Sequence, residues 1–171
     1  LPAKEISEIQ VFEVLLKEQK DVSTVLTVID KAIPYHIIFV ILFQDQVSLS
    51  TSKKHPHPTA EDTAVIDWTF CSGWQLRLNL GYQLNLKKSI DFVFSDLCKQ
   101  LSGYRKNTDE SLETIIARDQ QIFHLRKDID KLKTSIRKSQ QFNLTVELNL
   151  ELKHKEILLR DLVETKAYND E

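Results

Sequence analysis

The sequence predicts an α+β fold: a small, mostly antiparallel sheet with packed helices, followed by a C-terminal antiparallel helical hairpin of coiled-coil character. Three observations predict it. Short runs of β-branched and aromatic residues bounded by turn residues fill the first hundred positions. A stretch of helical apolar spacing separates the first two of these runs. In the last third, Ile115, Ile122, Ile129 and Ile136 recur every seven residues. The expected organisation is an α+β domain over 1–102 and a helical arm over 103–171.

Residues 8–16, EIQVFEVLL, alternate as a strand does, with Ile9, Val11 and Glu13 on one face and Phe12 and Val14 on the other. Asp21 and Ser23 offer N-cap oxygens to a helix over 24–32, where Val25, Ile29 and Ile33 form a stripe; Pro34 ends it. Residues 35–43 are almost continuously apolar, which suits a strand covered on both faces. Gln44, Asp45 and Gln46 read as a tight turn into a strand over 47–50, where Val47 and Leu49 alternate with serines. KKHPHPT, with two prolines, is expected to be a surface loop. A further strand is expected over 64–70, whereas over 73–86 the leucines alternate as in a strand but Gly81 and polar residues interrupt them, which leaves its structure open. Ile90, Val93, Phe94, Leu97 and Leu101 predict a helix with Ser89 as N-cap and Gly103 as its stop.

Beyond Gly103 there is no Pro, Trp or further Gly. Leu125 and Leu132 fill the four-three pattern between the isoleucines, and Leu144, Leu148, Leu152, Leu159 and Leu162 form a second apolar row. The turn is expected around 139–143, and a short connection makes the two helices antiparallel neighbours.

With 42% hydrophobic and 28% charged side chains the chain is of ordinary globular composition, and a formal net charge of -2 implies no strongly basic nucleic-acid-binding surface. Two cysteines, Cys71 and Cys98, exclude a disulfide-dense scaffold and fit a reducing cytoplasm. No apolar run approaches membrane-spanning length. The chain opens at Leu1 and has no Met, so its natural start is expected to lie earlier.

EIQVFEVLLK, then VIDKAIPYHIIFVI, then IRKSQQFNLTVELNLELK, in that order, resemble the bacterial family called domain of unknown function 4391 over nearly the whole chain. The resemblance implies an α+β protein with a C-terminal helical pair, from a family whose genes commonly lie near DNA methyltransferases and helicase-like ATPases of restriction-modification or phage-defence type. It transfers no catalytic residue. Members of the family usually begin well before the equivalent of Leu1.

Asp30, Lys31, Tyr35 and His36 cluster at a helix-to-strand junction and are the candidate polar site; structural hydrogen bonding at the sheet rim is the plainer reading. His55 and His57 make at most a two-ligand metal site, with Glu61 and Asp62 nearby, so no metal is expected. Glu8, Glu13, Asp30, Lys31, Asp45 and Asp67 could be assembled into a nuclease site, but the acidic residue followed by Glu-any-Lys is missing. No phosphate loop, dinucleotide turn or nucleophile elbow occurs, and no cofactor is expected. Trp68 fits core packing, and Trp74, after Gly73, is the better candidate for exposure. In the arm, Arg126, Lys127, Lys131, Lys133, Arg137 and Lys138 form the densest basic stretch, a candidate nucleic-acid contact or simply a solvated face. Ile129, Leu132, Ile136, Phe142, Leu144 and Leu148 form the candidate interface, because the apolar content exceeds what one seam consumes.

The expected function is therefore a non-enzymatic protein-interaction subunit of a DNA-modification or phage-defence system. It would associate with a protein partner or with itself through the arm, with weak nucleic-acid binding and no membrane contact. The alternative is a nuclease or other nucleic-acid-processing enzyme completed by residues before Leu1.

Overall fold

A computed structural model of the chain describes residues 6–60, 63–86, 88–103 and 110–168, with the backbone alone for 165–168. Two compact units emerge, Leu1–Gly103 and Tyr104–Glu171. The first is built on a five-stranded, mostly antiparallel sheet and the second on two packed helices.

Strand β1 (Ile9–Leu15) runs parallel to β2 (His36–Phe43), and α1 (Ser23–Ala32) supplies the crossover that parallel neighbours need. A two-residue turn then reverses the chain into β3 (Gln46–Pro56), Gln44 taking a left-handed φ of 51°. β4 (Ala64–Cys71) and the short β5 (Gln75–Leu76) both pair antiparallel with β3. Residues 73–86, which fit no single period, thus hold β5 and a 3-10 turn over Arg77–Asn79. Asp21 Oδ1 accepts from Ser23 N, while Val22 occupies the N-cap position of α1. For α2 (Ile90–Leu101), Ser89 does cap, accepting from Phe92 N, and Gly103 ends the helix at a φ of 82°.

One expectation fails: KKHPHPT is not wholly a surface loop. β3 continues through Pro56, with a register shift between Lys53 and Lys54, and Lys54 is 3% exposed. Hydrogen bonding along the strand and a buried carboxylate for Lys54 override its polar composition.

The pleat divides the sheet's residues into two faces. Phe12, Val14, Ile37, Phe39 and Ile41 pack with Leu26, Val22, Ile29 and Ile33 of the α1 side, joined by Trp74. The other face carries His36, whose ring meets Phe94 of α2 at 4.3 Å, and on α2 Val93, Phe94, Leu97, Cys98 and Leu101 are buried.

In the second unit, α3 (Leu112–Lys138) and α4 (Phe142–Tyr168) are each 27 residues long, about 40 Å, and pack on one another with the break at 139–141. Ile115, Ile122 and Ile129 are buried. Ion pairs of 3.0 Å from Lys155 to Asp128 and from Lys133 to Glu156 tie the helices together. The bond from Lys155 lowers the Asp128 carboxyl below the usual range.

Candidate functional site

The α1-facing side of β3 departs from the core rule. Opposite Ile41 and Phe39 of β2 stand Ser48 and Ser50, followed along the strand by Ser52 and Lys54. Serines fill little volume, so between α1 and the β3–β4 half of the sheet a cavity of about 590 Å³ remains. Leu26, Phe39, Ile41 and Trp74 give its apolar wall; Ser48, Ser50, Ser52, Thr69 and Cys71 give its polar floor.

The hydroxyls are organised across the β3–β4 ladder. Ser48 Oγ donates to Ser72 O at 3.0 Å, and Ser72 Oγ accepts from Leu49 N. Ser50 Oγ meets Cys71 Sγ at 3.4 Å, and Ser52 Oγ meets Thr69 Oγ1 at 2.9 Å. Asp30, also on the lining, is held by Lys54, whose Nζ donates to Asp30 Oδ1 and Asp30 O at 2.7 Å and to Ile33 O at 2.8 Å. An ammonium has three protons, and all three are used; two carbonyls at the C-terminal end of α1 gain donors. Lys20 and Asp21 also line the cavity, but Lys20 pairs with Glu18 and Asp21 holds Ser23 N. The hydrogen bonds from Ser23 lower the Asp21 carboxyl. The lining thus offers hydroxyls, a thiol and aromatic surface, with its buried charge neutralised in place.

The four residues of the candidate polar cluster do not converge. Asp30 is buried against Lys54, Lys31 and Tyr35 are exposed, and His36 turns to the α2 side. There its Nε2 is buried without a hydrogen-bond partner, and burial, reinforced by Lys54 and Lys53, depresses the imidazole to about 4. The carboxylates of a nuclease arrangement are equally dispersed: Asp67 pairs with His55 at 3.0 Å, Glu13 and Glu8 are exposed on or beside β1, and Asp45 sits in the β2–β3 turn. His57 Nδ1 bonds Thr59, Glu61 and Asp62 lie outside the described residues, and among the described residues no three metal-ligating side chains gather. Cys98 is buried, which raises its thiol, whereas Cys71 is exposed. Trp74, expected to be exposed, is half-buried in the cavity wall.

A match to the family model described as Domain of unknown function (DUF4391) runs over residues 2–158. The chain belongs to this family. No curated protein and no solved structure matches it. Among the described residues of this family member, no helix is long and apolar enough to cross a membrane.

The arm of the family member carries a second surface. Ile129 is 5% exposed, and Leu132, Ile136 and Leu148 are half-buried along the seam side. At about 100° per residue, Val146, Leu150 and Ile157 fall opposite the seam row of Leu148, Leu152 and Leu159, and Phe142 lies about a third of a turn from that row. All four are exposed, Phe142 at 81% and Leu150 at 66%. Of the candidate interface residues only Phe142 stands outside the seam with them, while Leu144 borders the seam at 43% exposure. Val146, Leu150 and Ile157 escaped the sequence reading because the two rows interleave.

Of the six candidate nucleic-acid contacts, all exposed, Lys131 pairs with Asp128 at 3.7 Å and Lys133 with Glu156 at 3.0 Å. Arg126, Lys127, Arg137 and Lys138 have no carboxylate partner among the described residues.

Proposed function

We propose that the chain is a non-enzymatic, cytoplasmic interaction subunit that associates through its arm, most simply as a twofold dimer. The outer apolar row of α4 carries this reading. Four apolar side chains spread over 142–157, about 22 Å of helix, stand outside the seam that joins α4 to α3. A helix whose single seam is already formed gains nothing from a second apolar row in water, whereas a partner helix laid along it removes that surface from solvent. The dispersed carboxylates and the mutually satisfied Asp30–Lys54 pair favour this reading over a nuclease. The association of the family's genes with DNA methyltransferases and helicase-like ATPases supports a DNA-modification or phage-defence setting.

The test is light scattering on the intact chain at micromolar concentration, beside a Val146→Lys, Leu150→Lys variant. The wild type is expected to be dimeric and the variant monomeric, with unchanged circular dichroism because the seam is untouched. If the wild type is monomeric and an affinity capture from the native host returns the same proteins for both chains, the arm is not the interface.

A further inference from the structure

The cavity beneath α1 has the properties of a built ligand site rather than of a packing defect. Two donor pairs line its floor, Ser50 with Cys71 and Ser52 with Thr69, and each member of a pair has its own proton. One hydrogen bond within a pair consumes one proton. The second proton in each pair has no acceptor among the described residues. Ser50 and Ser52 are 5% and 2% exposed, whereas Cys71 and Thr69 are exposed, so each pair reaches from the buried floor to the open side of the cavity and holds one proton that a guest can take in place of water. Positions two apart on a strand are roughly 7 Å apart, which sets the separation of the two donor pairs.

The remaining wall selects against charge and for flatness. Asp30, the one buried ion on the lining, is neutralised by Lys54, and Lys20 and Asp21 are exposed, so a charged guest on the serine floor would have no buried counterion. Phe39 and Trp74 offer aromatic surface beside Leu26 and Ile41. A volume of about 590 Å³ lies within the range of small-molecule pockets. From these features we infer that the cavity binds an uncharged, flat heterocycle bearing hydrogen-bond acceptors on two of its edges. The acceptors take the spare protons of the two pairs, and the ring lies against the Phe39–Trp74 wall. This site is independent of the arm.

Cys71 gives a direct readout. The chain has two cysteines, and Cys98 is 0% exposed, so a thiol-exchange reagent applied to the folded chain reports on Cys71 at the cavity floor. Labelling of the intact protein is followed with adenine, uracil or caffeine as uncharged acceptor-bearing probes, toluene as a flat probe without acceptors, and benzoate as a charged one. At least one heterocycle is expected to slow labelling, roughly tenfold when present at ten times its dissociation constant, while toluene and benzoate leave the rate unchanged. A Ser52→Ala, Thr69→Val variant removes one donor pair with little change of shape and is expected to weaken that protection roughly tenfold. No protection by any heterocycle at millimolar concentration overturns the inference. Equal protection by toluene or benzoate overturns it as well. The wild-type comparison decides even if the variant does not fold.

Discussion

Lys54 donates all its ammonium protons inside the fold, and two of its three acceptors are backbone carbonyls at the end of α1. Removing only its counterion leaves a buried positive charge, so Asp30→Ala should cost about 3–5 kcal/mol. Adding Lys54→Met removes that charge but strips the Asp30 and Ile33 carbonyls of their donor. The double variant should therefore recover only part of the loss, remaining about 1–3 kcal/mol below wild type. Urea midpoints of the three proteins measure this; a double variant as stable as wild type would show that the carbonyls do not depend on Lys54. His36 makes an opposite kind of contribution. Its folded imidazole titrates at about 4 instead of the usual 6.5, so the unfolded chain binds the proton more readily. Stability from this group is complete above 6.5 and is lost as pH falls from 6.5 toward 4. His36→Phe suits a strand position beside Phe94 and deletes the unpartnered Nε2, so it should shrink the drop in thermal midpoint between about pH 7 and about pH 5. An identical drop in both proteins would refute the assignment.

At the level of single elements, what is legible in the sequence is what repeats locally. α2 and the arm show because apolar residues recur at three- and four-residue steps, and β2 because an apolar run bounded by Pro34 and a turn has no other place than a covered strand. Replacing Ile129 with Asp tests the arm pattern directly. The side chain is 5% exposed, so an unpaired carboxylate there should cost several kcal/mol, on the order of 3, and lower the thermal midpoint. An unchanged midpoint would mean that Ile129 is not part of the seam. The cavity was illegible for the opposite reason. Its floor is assembled from β3 and β4, and Lys54 meets a carboxylate 24 residues earlier. A lysine followed by HPHP carries a surface composition, and no local period encodes that pairing. The serines of β3 were visible as alternation, but alternation alone does not say which face another element will cover.

For the whole molecule, the decisive quantity is how much positive charge one surface can bring to a phosphate backbone. The chain's formal net charge is -2, so long-range attraction gives no help. The arm's cations are also divided by the helix itself. At about 100° per residue, Lys127, Lys131 and Lys138 share one side of α3, while Arg126, Lys133 and Arg137 lie about a third of a turn away. Lys131 and Lys133 additionally contact Asp128 and Glu156, so phosphate must compete with those carboxylates. A duplex laid on either side meets about three cations, for which the logarithm of affinity should fall with that of salt at a slope of roughly -3. Such contacts give weak, sequence-independent binding that physiological salt largely removes. Fluorescence anisotropy with a short labelled duplex should show this slope, and Lys127→Ala with Lys131→Ala should reduce it. Tight binding at high salt that survives substitution of Lys131 and Arg137 would place nucleic-acid recognition elsewhere on the protein and would count against a purely interaction-based role for the arm.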